Sequence, residues 1–545
     1  MLGGLRMNVR HDLSRKLPSA SRCALYSSLL FAFFPLGARA QVTTSQYDNA
    51  RTGADVRETI LTSRNVNANQ FGKVFALHVD GDVYAQPLYL PQIAIPGKGT
   101  HNVVFIATER DSVYAFDADA PSQTPLWRAT FVDSSKGIEP LTPEDVRCPF
   151  IVPSIGITST PVIDAASGTI YVLARTQEHG NYFQKLHALD VATGAEKSGS
   201  PVAIKASSPH KTLGLVSNPV DFDARSENPR AALLLSSGKV YLSWASSCDV
   251  GPYHGWMIAY DARTLQQAGV FNTSPDDEQS GIWAGDAGPA ADANGNVFVA
   301  AGNGTFDAAL KGGRDYGDSV LKLALTPAGL AVADYFTPFD QDKLNAADND
   351  LGSGGPVLLP DQQGPHPHVL IVGGKGGTIY VIDRDHMGKF HAGNDSHAVQ
   401  TLPAHDMIFG AAAYWNGHLY YLVSNDVLRD YAVQNGQLSL SSQGTLKFID
   451  PGATPTVSAN GTKDGIVWAI QTKGFQSANR QAILHAFEAG NVARELYNSG
   501  ENTPRDGAGL TLRFTIPTVA NGRVYIGTKN EVDVYGLLPA AKKQK

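Results

Sequence analysis

Apolar and polar positions along this chain alternate in short runs bounded by turn residues. NVVFIAT, TIYVLA, KVYLSWA, NVFVAAG, TIYVID, GIVWAIQT and RVYIGT are rich in β-branched and aromatic residues, with Gly, Asn or Asp nearby. Such runs predict strands and not helices. One unit recurs: a strand containing Pro, a Gly-type turn, a β-branched and aromatic strand, and a third strand ending in an aromatic-or-aliphatic, Ala, Asp pattern. Copies fall at 84–119, 158–194 and 231–264, two within 281–390, then at 411–436, 454–490 and 516–536. Strand triplets repeated around a centre leave few exposed edges, which is the logic of a propeller. The prediction is an all-β, eight-bladed β-propeller. FGKVFALHVDG at 71–81 has no partner of its own and is predicted to be the outermost strand of the last blade. There it closes the ring and hides an edge.

Composition agrees: 54 Gly, 31 Pro and only 17% charged residues suit a turn-rich β protein. A net charge of −7 gives no electrostatic footprint for nucleic acid. Arg6, Arg10, Arg15, Lys16 and Arg22 precede the apolar run ALYSSLLFAFFPLG at 24–37, followed by Ala38-Arg39-Ala40. This pattern predicts a signal peptide over 1–40, cleavage near Ala40 and export to the periplasm or medium. A membrane anchor is the other reading of the run, which is short for a permanent span. Cys23 lies before the run, on the wrong side for lipid attachment. The expected organisation is an extended segment at 41–70, the propeller at 71–538 and a disordered tail at 539–545. Cys148 and Cys248 then remain, as a disulfide or as two buried thiols. No CxxC pair is present and no CxxCH motif for haem, so an electron-transferring protein of this sequence needs an external acceptor.

The stretch 281–390 gathers candidate chemistry. It holds Trp283, Asn303 in Gly-Asn-Gly, Asp348 and Asp350 in an Asp-rich connection, and Lys375 in Gly-Gly-Lys-Gly-Gly. Such groups can stack on, coordinate and neutralise a flat anionic ligand. VFVAAGN, GDSVLKL and GGKGGTIYVIDRDHMGKF, in that order, resemble three consecutive landmarks of the pyrroloquinoline quinone (PQQ) repeat propellers. These include quinoprotein alcohol dehydrogenases and non-catalytic outer-membrane assembly scaffolds. The repeat resemblance covers nearly all of the mature chain; the dehydrogenase-like part runs from about 240 to 390.

The resemblance implies a quinoprotein alcohol dehydrogenase-like ring with PQQ and calcium or a lanthanide. By its motifs Trp283 is the stacking floor, Asn303 a metal-binding amide and Lys375 the cation beside the quinone oxygens. Asp350 or Asp348 stands where a catalytic base is expected, with Asp350 also near the metal. Asp249 is the nearest carboxylate for the acidic metal ligand. A hard cation takes carboxylate and amide oxygens, an ionised Asp can accept an alcohol proton, and a Trp gives a flat apolar face. Each residue also has a structural reading. Trp283 suits a blade core, while Asn303, Asp348 and Asp350 suit turns. Lys375 suits a solvated hairpin tip, and Asp249 a surface loop. Asp292-Ala-Asn-Gly-Asn296 reads as a hairpin turn, and His386, His391, His397 and His405 as loop residues. The adjacent cysteines usual in those dehydrogenases are missing, and Asp249 is a short acid for its role. Two functions follow from the resemblance. One is a metal-assisted PQQ-dependent oxidoreductase acting on an alcohol or sugar; the other is a non-catalytic scaffold binding an envelope protein or polymer.

Overall fold

Each predicted strand run pairs with its neighbours in sequence. In a computed structural model of the protein, residues 40–212, 215–472 and 480–539 are described. The predicted signal peptide and tail, apart from Ala40 and Pro539, lie outside them. The described chain forms eight antiparallel blades in a ring, with small extra sheets in the loops. Blade 1 runs outward as Leu88–Ile95, Gly99–Ala107, Ser112–Asp117 and Trp127–Thr130. The inner strands of blades 2 to 8 are Val162–Asp164, Leu234–Ser236, Ala290–Ala291, Val357–Leu358, Ala413–Trp415, Thr456–Asn460 and Thr518–Ala520. Phe71–His78 pairs antiparallel with Glu531–Leu537, Phe71 opposite Leu537 and His78 opposite Glu531. The first long strand of the described residues therefore completes the last blade, as its unpaired run predicts.

The ring is held by apolar faces meeting between blades. Val369, Ile371 and Val381 of blade 5 pack with Leu419 and Tyr421 of blade 6. Leu173 and Leu186 of blade 2 meet Trp244, Trp256 and Ile258 of blade 3. Because both faces of a blade are covered, middle strands such as Val369–Gly373 are buried throughout, which explains their unbroken apolar sequences. The outermost strands are shorter or half exposed. Trp127–Thr130 and Gln400–Pro403 alternate between covered and exposed positions, so the repeat shows three strands where the blade has four. The Asp-rich connection holds a short helix, Gln341–Ala346, and a single turn, Leu351–Ser353. Asp292 accepts from the backbone N–H groups of Asn294 and Asn296, making the predicted hairpin turn. No helix of the described residues is long and apolar enough to cross a membrane.

Candidate functional site

The segments that lead into the inner strands converge at one end of the ring axis. Tyr84, Ile155, Arg230, Gly285, Ser353, Phe409 and Phe514, from seven of the eight blades, line one cavity of about 230 Å³. Trp283, Asp350, Lys375 and Asp249 lie on the same wall. Four of the six residues singled out by sequence thus share one space. The other two sit close to it in different ways.

Asn303 is just behind the wall. Its backbone N–H donates to Asp350 Oδ1 at 2.8 Å, and its carbonyl accepts from Ser280 N at 2.8 Å. Gly302 beside it donates to Gly281 O, and a Cβ there would lie 2.3 Å from Asp350 Oδ1. Only glycine allows the Asn303 backbone to reach this carboxylate. The Asn303 side-chain oxygen and Trp283 Nε1 are both buried without a hydrogen-bond partner among the described residues. Buried polar atoms are rarely left so, and both groups keep a hydrogen-bonding capacity that no described residue uses. Asp348 stands outside the cavity lining, exposed, with Oδ2 3.3 Å from Lys375 Nζ.

Lys375 sits at the turn between Val369–Gly373 and Thr378–Asp383, and its Nζ lies 2.5 Å from Asp350 Oδ2. Its backbone N–H also donates to Asp350 O at 2.9 Å. Burial pushes the Asp350 carboxyl above its ordinary range, against the pull of the Lys375 ammonium. For Lys375 burial acts to lower the pKa, but Asp350 and Asp348 outweigh it and hold the ammonium above its usual value. Behind them Asp318 accepts from Leu351 N at 3.0 Å; burial, aided by the Asp350 charge, raises its carboxyl well above the normal range.

Asp249 comes from the loop after Lys239–Ser246. Cys248 and Asp249 both adopt left-handed backbone (φ 55° and 51°), and Asp249 N donates to Ser246 Oγ at 2.9 Å. Tyr253 Oη donates to Asp249 Oδ1 at 2.9 Å, and its ring meets Trp283 edge to face at 6.5 Å. Cys248 is disulfide-bonded to Cys148, and both line the cavity. The pairing left open by the sequence is therefore settled. The bridge ties the Asp249 loop to the loop carrying Phe150.

Across the cavity, cations alternate with rings. The Arg230 guanidinium lies 5.4 Å from the Tyr84 ring centre and 5.0 Å from that of Phe514. Arg513 lies 4.9 Å from Phe150 and 5.7 Å from Phe514. Burial, with repulsion from Arg230, lowers Arg513 to about 10. Two guanidiniums beside the same Phe514 ring make this side of the cavity attractive to an anion. These residues carry no repeat pattern and lie in irregular loops, so nothing in the sequence marks them. Asp318 and Tyr253 do have a signal, since each falls inside a motif-bearing stretch, GDSVLKL or SCDVGPYHGW.

Among the described residues no three Asp, Glu, His or Cys side chains gather as an ion-binding group. The oxygen-bearing candidates are the Asp350 and Asp249 carboxylates in the cavity lining and the Asn303 amide behind it. That set suits a hard cation whose remaining ligands come from a bound molecule and water. Trp283, three cations and a disulfide around one cavity fit a flat polyanion.

Fold and cavity together define an eight-bladed β-propeller with a cavity on its axis lined by charged and aromatic residues. No family model matches the chain, and no curated protein matches it either. Among solved structures it is similar to quinohemoprotein alcohol dehydrogenase from Comamonas testosteroni, at 14% identity and a TM-score of 0.59. That match covers 93% of this chain and 82% of the other. It is likewise similar to a europium-containing methanol dehydrogenase, at 12% identity and a TM-score of 0.58, covering 91% and 98%. BamB from Moraxella catarrhalis matches at 12% identity with a TM-score of 0.47, covering 87% and 99%. At these identities the likeness is one of fold.

Proposed function

We propose that this chain is an exported, metal-assisted PQQ-dependent oxidoreductase acting on an alcohol or sugar. The observation that carries the reading is convergence: Trp283, Asp350, Lys375, Asp249, Arg230 and Arg513 border one axial cavity, with the buried Asn303 amide beside it. Two solved structures of the same fold bear the names of alcohol and methanol dehydrogenases, and one contains europium. Export is supported by the N-terminal pattern and by a disulfide of the kind that persists in oxidising compartments.

Bound PQQ would supply a two-electron acceptor. The chain's own residues would do the rest. Trp283 offers a face for stacking, and Arg230, Arg513 and Lys375 offset the negative charge of the ligand. Asn303, Asp350 and Asp249 would hold the cation. Asp350 is the proton acceptor for a substrate hydroxyl: burial lifts its basicity, while the Lys375 contact preserves the anion. The aromatic and disulfide lining thins the water around that transfer. An external acceptor must then take the electrons.

The test is incubation of the purified protein with calcium, or a lanthanide, and PQQ, followed by gel filtration and alcohol-dependent dye reduction. Quinone absorbance should travel with the wild type, and retention should fall at least tenfold in Asn303→Ala and in Lys375→Ala. A wild type that retains no quinone with either metal sinks the reading. In that case the second one stands, a non-catalytic scaffold for an envelope protein or polymer. It draws on Phe150 and Val152, which are 45% and 39% exposed at and beside the cavity mouth.

A further inference from the structure

Innermost blade strands have one edge with no neighbouring strand, so their N–H groups face the bore of the ring. A buried donor left unpaired costs about 1–3 kcal/mol. Here those donors are taken by one short piece of chain. Tyr89 N donates to Val42 O at 2.9 Å, Ile163 N to Thr43 O at 2.7 Å, and Ala291 N to Asn49 O at 2.7 Å. Leu358 N donates to Ala50 O at 2.8 Å, Tyr414 N to Thr52 O at 2.7 Å and Val457 N to Gly53 O at 2.8 Å. Val519 N donates to Tyr47 Oη at 2.7 Å, and Asn49 Nδ2 donates to Leu235 O of blade 3 at 2.8 Å. All eight blades are bonded. Six of the seven backbone donors lie two residues after a proline: Pro87, Pro161, Pro289, Pro356, Pro455 and Pro517. The Pro-containing strand of the repeat is thus also the strand that presents a donor to the axis.

Side chains add selectivity to this backbone reading. Arg51 is fully buried and donates to Thr44 Oγ1, Ser45 O, Pro289 O and Leu233 O at 2.7–3.1 Å. It locks the fold of the segment onto blades 3 and 4. Gly53 has φ 70°, and a Cβ there would lie 3.1 Å from the Ala413 Cβ. Ala54–Asp55 then adds a parallel strand to blade 7, and Glu58 Oε2 accepts from Gly522 N of blade 8.

From this geometry we infer that the bore is a peptide-binding site, and that residues 42–58 are its ligand, carried on the same chain. The ligand class is a turn-rich peptide with Tyr, Asn, Arg and Gly at alternate positions, as in Tyr47, Asn49, Arg51 and Gly53, of which Tyr47, Arg51 and Gly53 take positive φ. It is recognised by a ring of backbone donors and by the carbonyls around Arg51. The consequence is a ring closed along its axis by a non-covalent plug. This inference is independent of the proposed redox chemistry.

The test keeps the whole mature chain. A protease recognition sequence is inserted between Thr59 and Ile60, which are both exposed, and the folded protein is cut there. The fragment from Gln41 to the cut should co-elute with the ring on gel filtration. A labelled synthetic peptide of residues 41–59 should replace it, and the same peptide with Arg51→Ala should compete at least tenfold less well. Release of the fragment on cutting with no fall in Tm would overturn the inference. So would equal competition by the native and Arg51→Ala peptides.

Discussion

Glu109 shows how far burial governs single residues near the axis. It is fully buried, accepts from Gly156 N at 2.7 Å through Oε2, and leaves Oε1 without a partner among the described residues. Burial raises its carboxyl from 4.5 to about 7. Between those two values the unfolded chain has released a proton that the folded chain keeps, so rising pH favours unfolding. The stability present below 4.5 is lost as pH climbs through about 7, in total about 3 kcal/mol at about 1.4 kcal/mol per unit. Glu109→Gln removes that titration. Denaturant melts from pH 4.5 to 8 should show the variant gaining on the wild type by that order, then levelling off. A difference that stays flat across the window contradicts the assignment. At this scale sequence reading worked unevenly. Trp283 and Lys375, both in the cavity lining, could be singled out because each sits beside glycines within the stretch 281–390. Arg230 and Arg513 were not, because they come from patternless loops 283 residues apart and meet only through the ring.

Elements carry the site as much as residues do. The Asp249 loop takes two consecutive left-handed residues, an arrangement that non-glycine side chains adopt at a cost. What holds it is a set of local bonds to Ser246 and Tyr253 together with the Cys148–Cys248 bridge. That bridge closes a loop with a sequence separation of 100, for which chain entropy alone gives about 4–5 kcal/mol. Reductant, or the double variant Cys148→Ala with Cys248→Ala, should lower the Tm by several degrees and loosen the Asp249 loop. Thermal unfolding with and without reductant checks this, and an unchanged Tm contradicts it. The strand elements were readable wherever both faces are buried, since a run such as Val369–Gly373 has no polar side to confuse the pattern. The outermost strands were hidden, because half-exposed runs such as Trp127–Thr130 look like loops.

For the whole molecule, closure is the organising fact. The ring is joined by Phe71–His78 on blade 8, where Phe71 packs among Trp468, Tyr497 and Tyr535. Its bore is filled by residues 42–58. The first closure was legible as a strand run without a partner; the second was not, because a coil segment that bonds to eight blades has no periodicity of its own. Both leave the axial cavity as the place where inner-strand approaches converge. The central claim is that a flat quinone anion belongs there. Crystals grown with PQQ and calcium test it most directly. The predicted result is planar density across Trp283, within reach of Lys375 and the Asn303 amide, and a cation beside Asp350. An empty cavity at saturating ligand, or density bound elsewhere on the ring, would contradict the account.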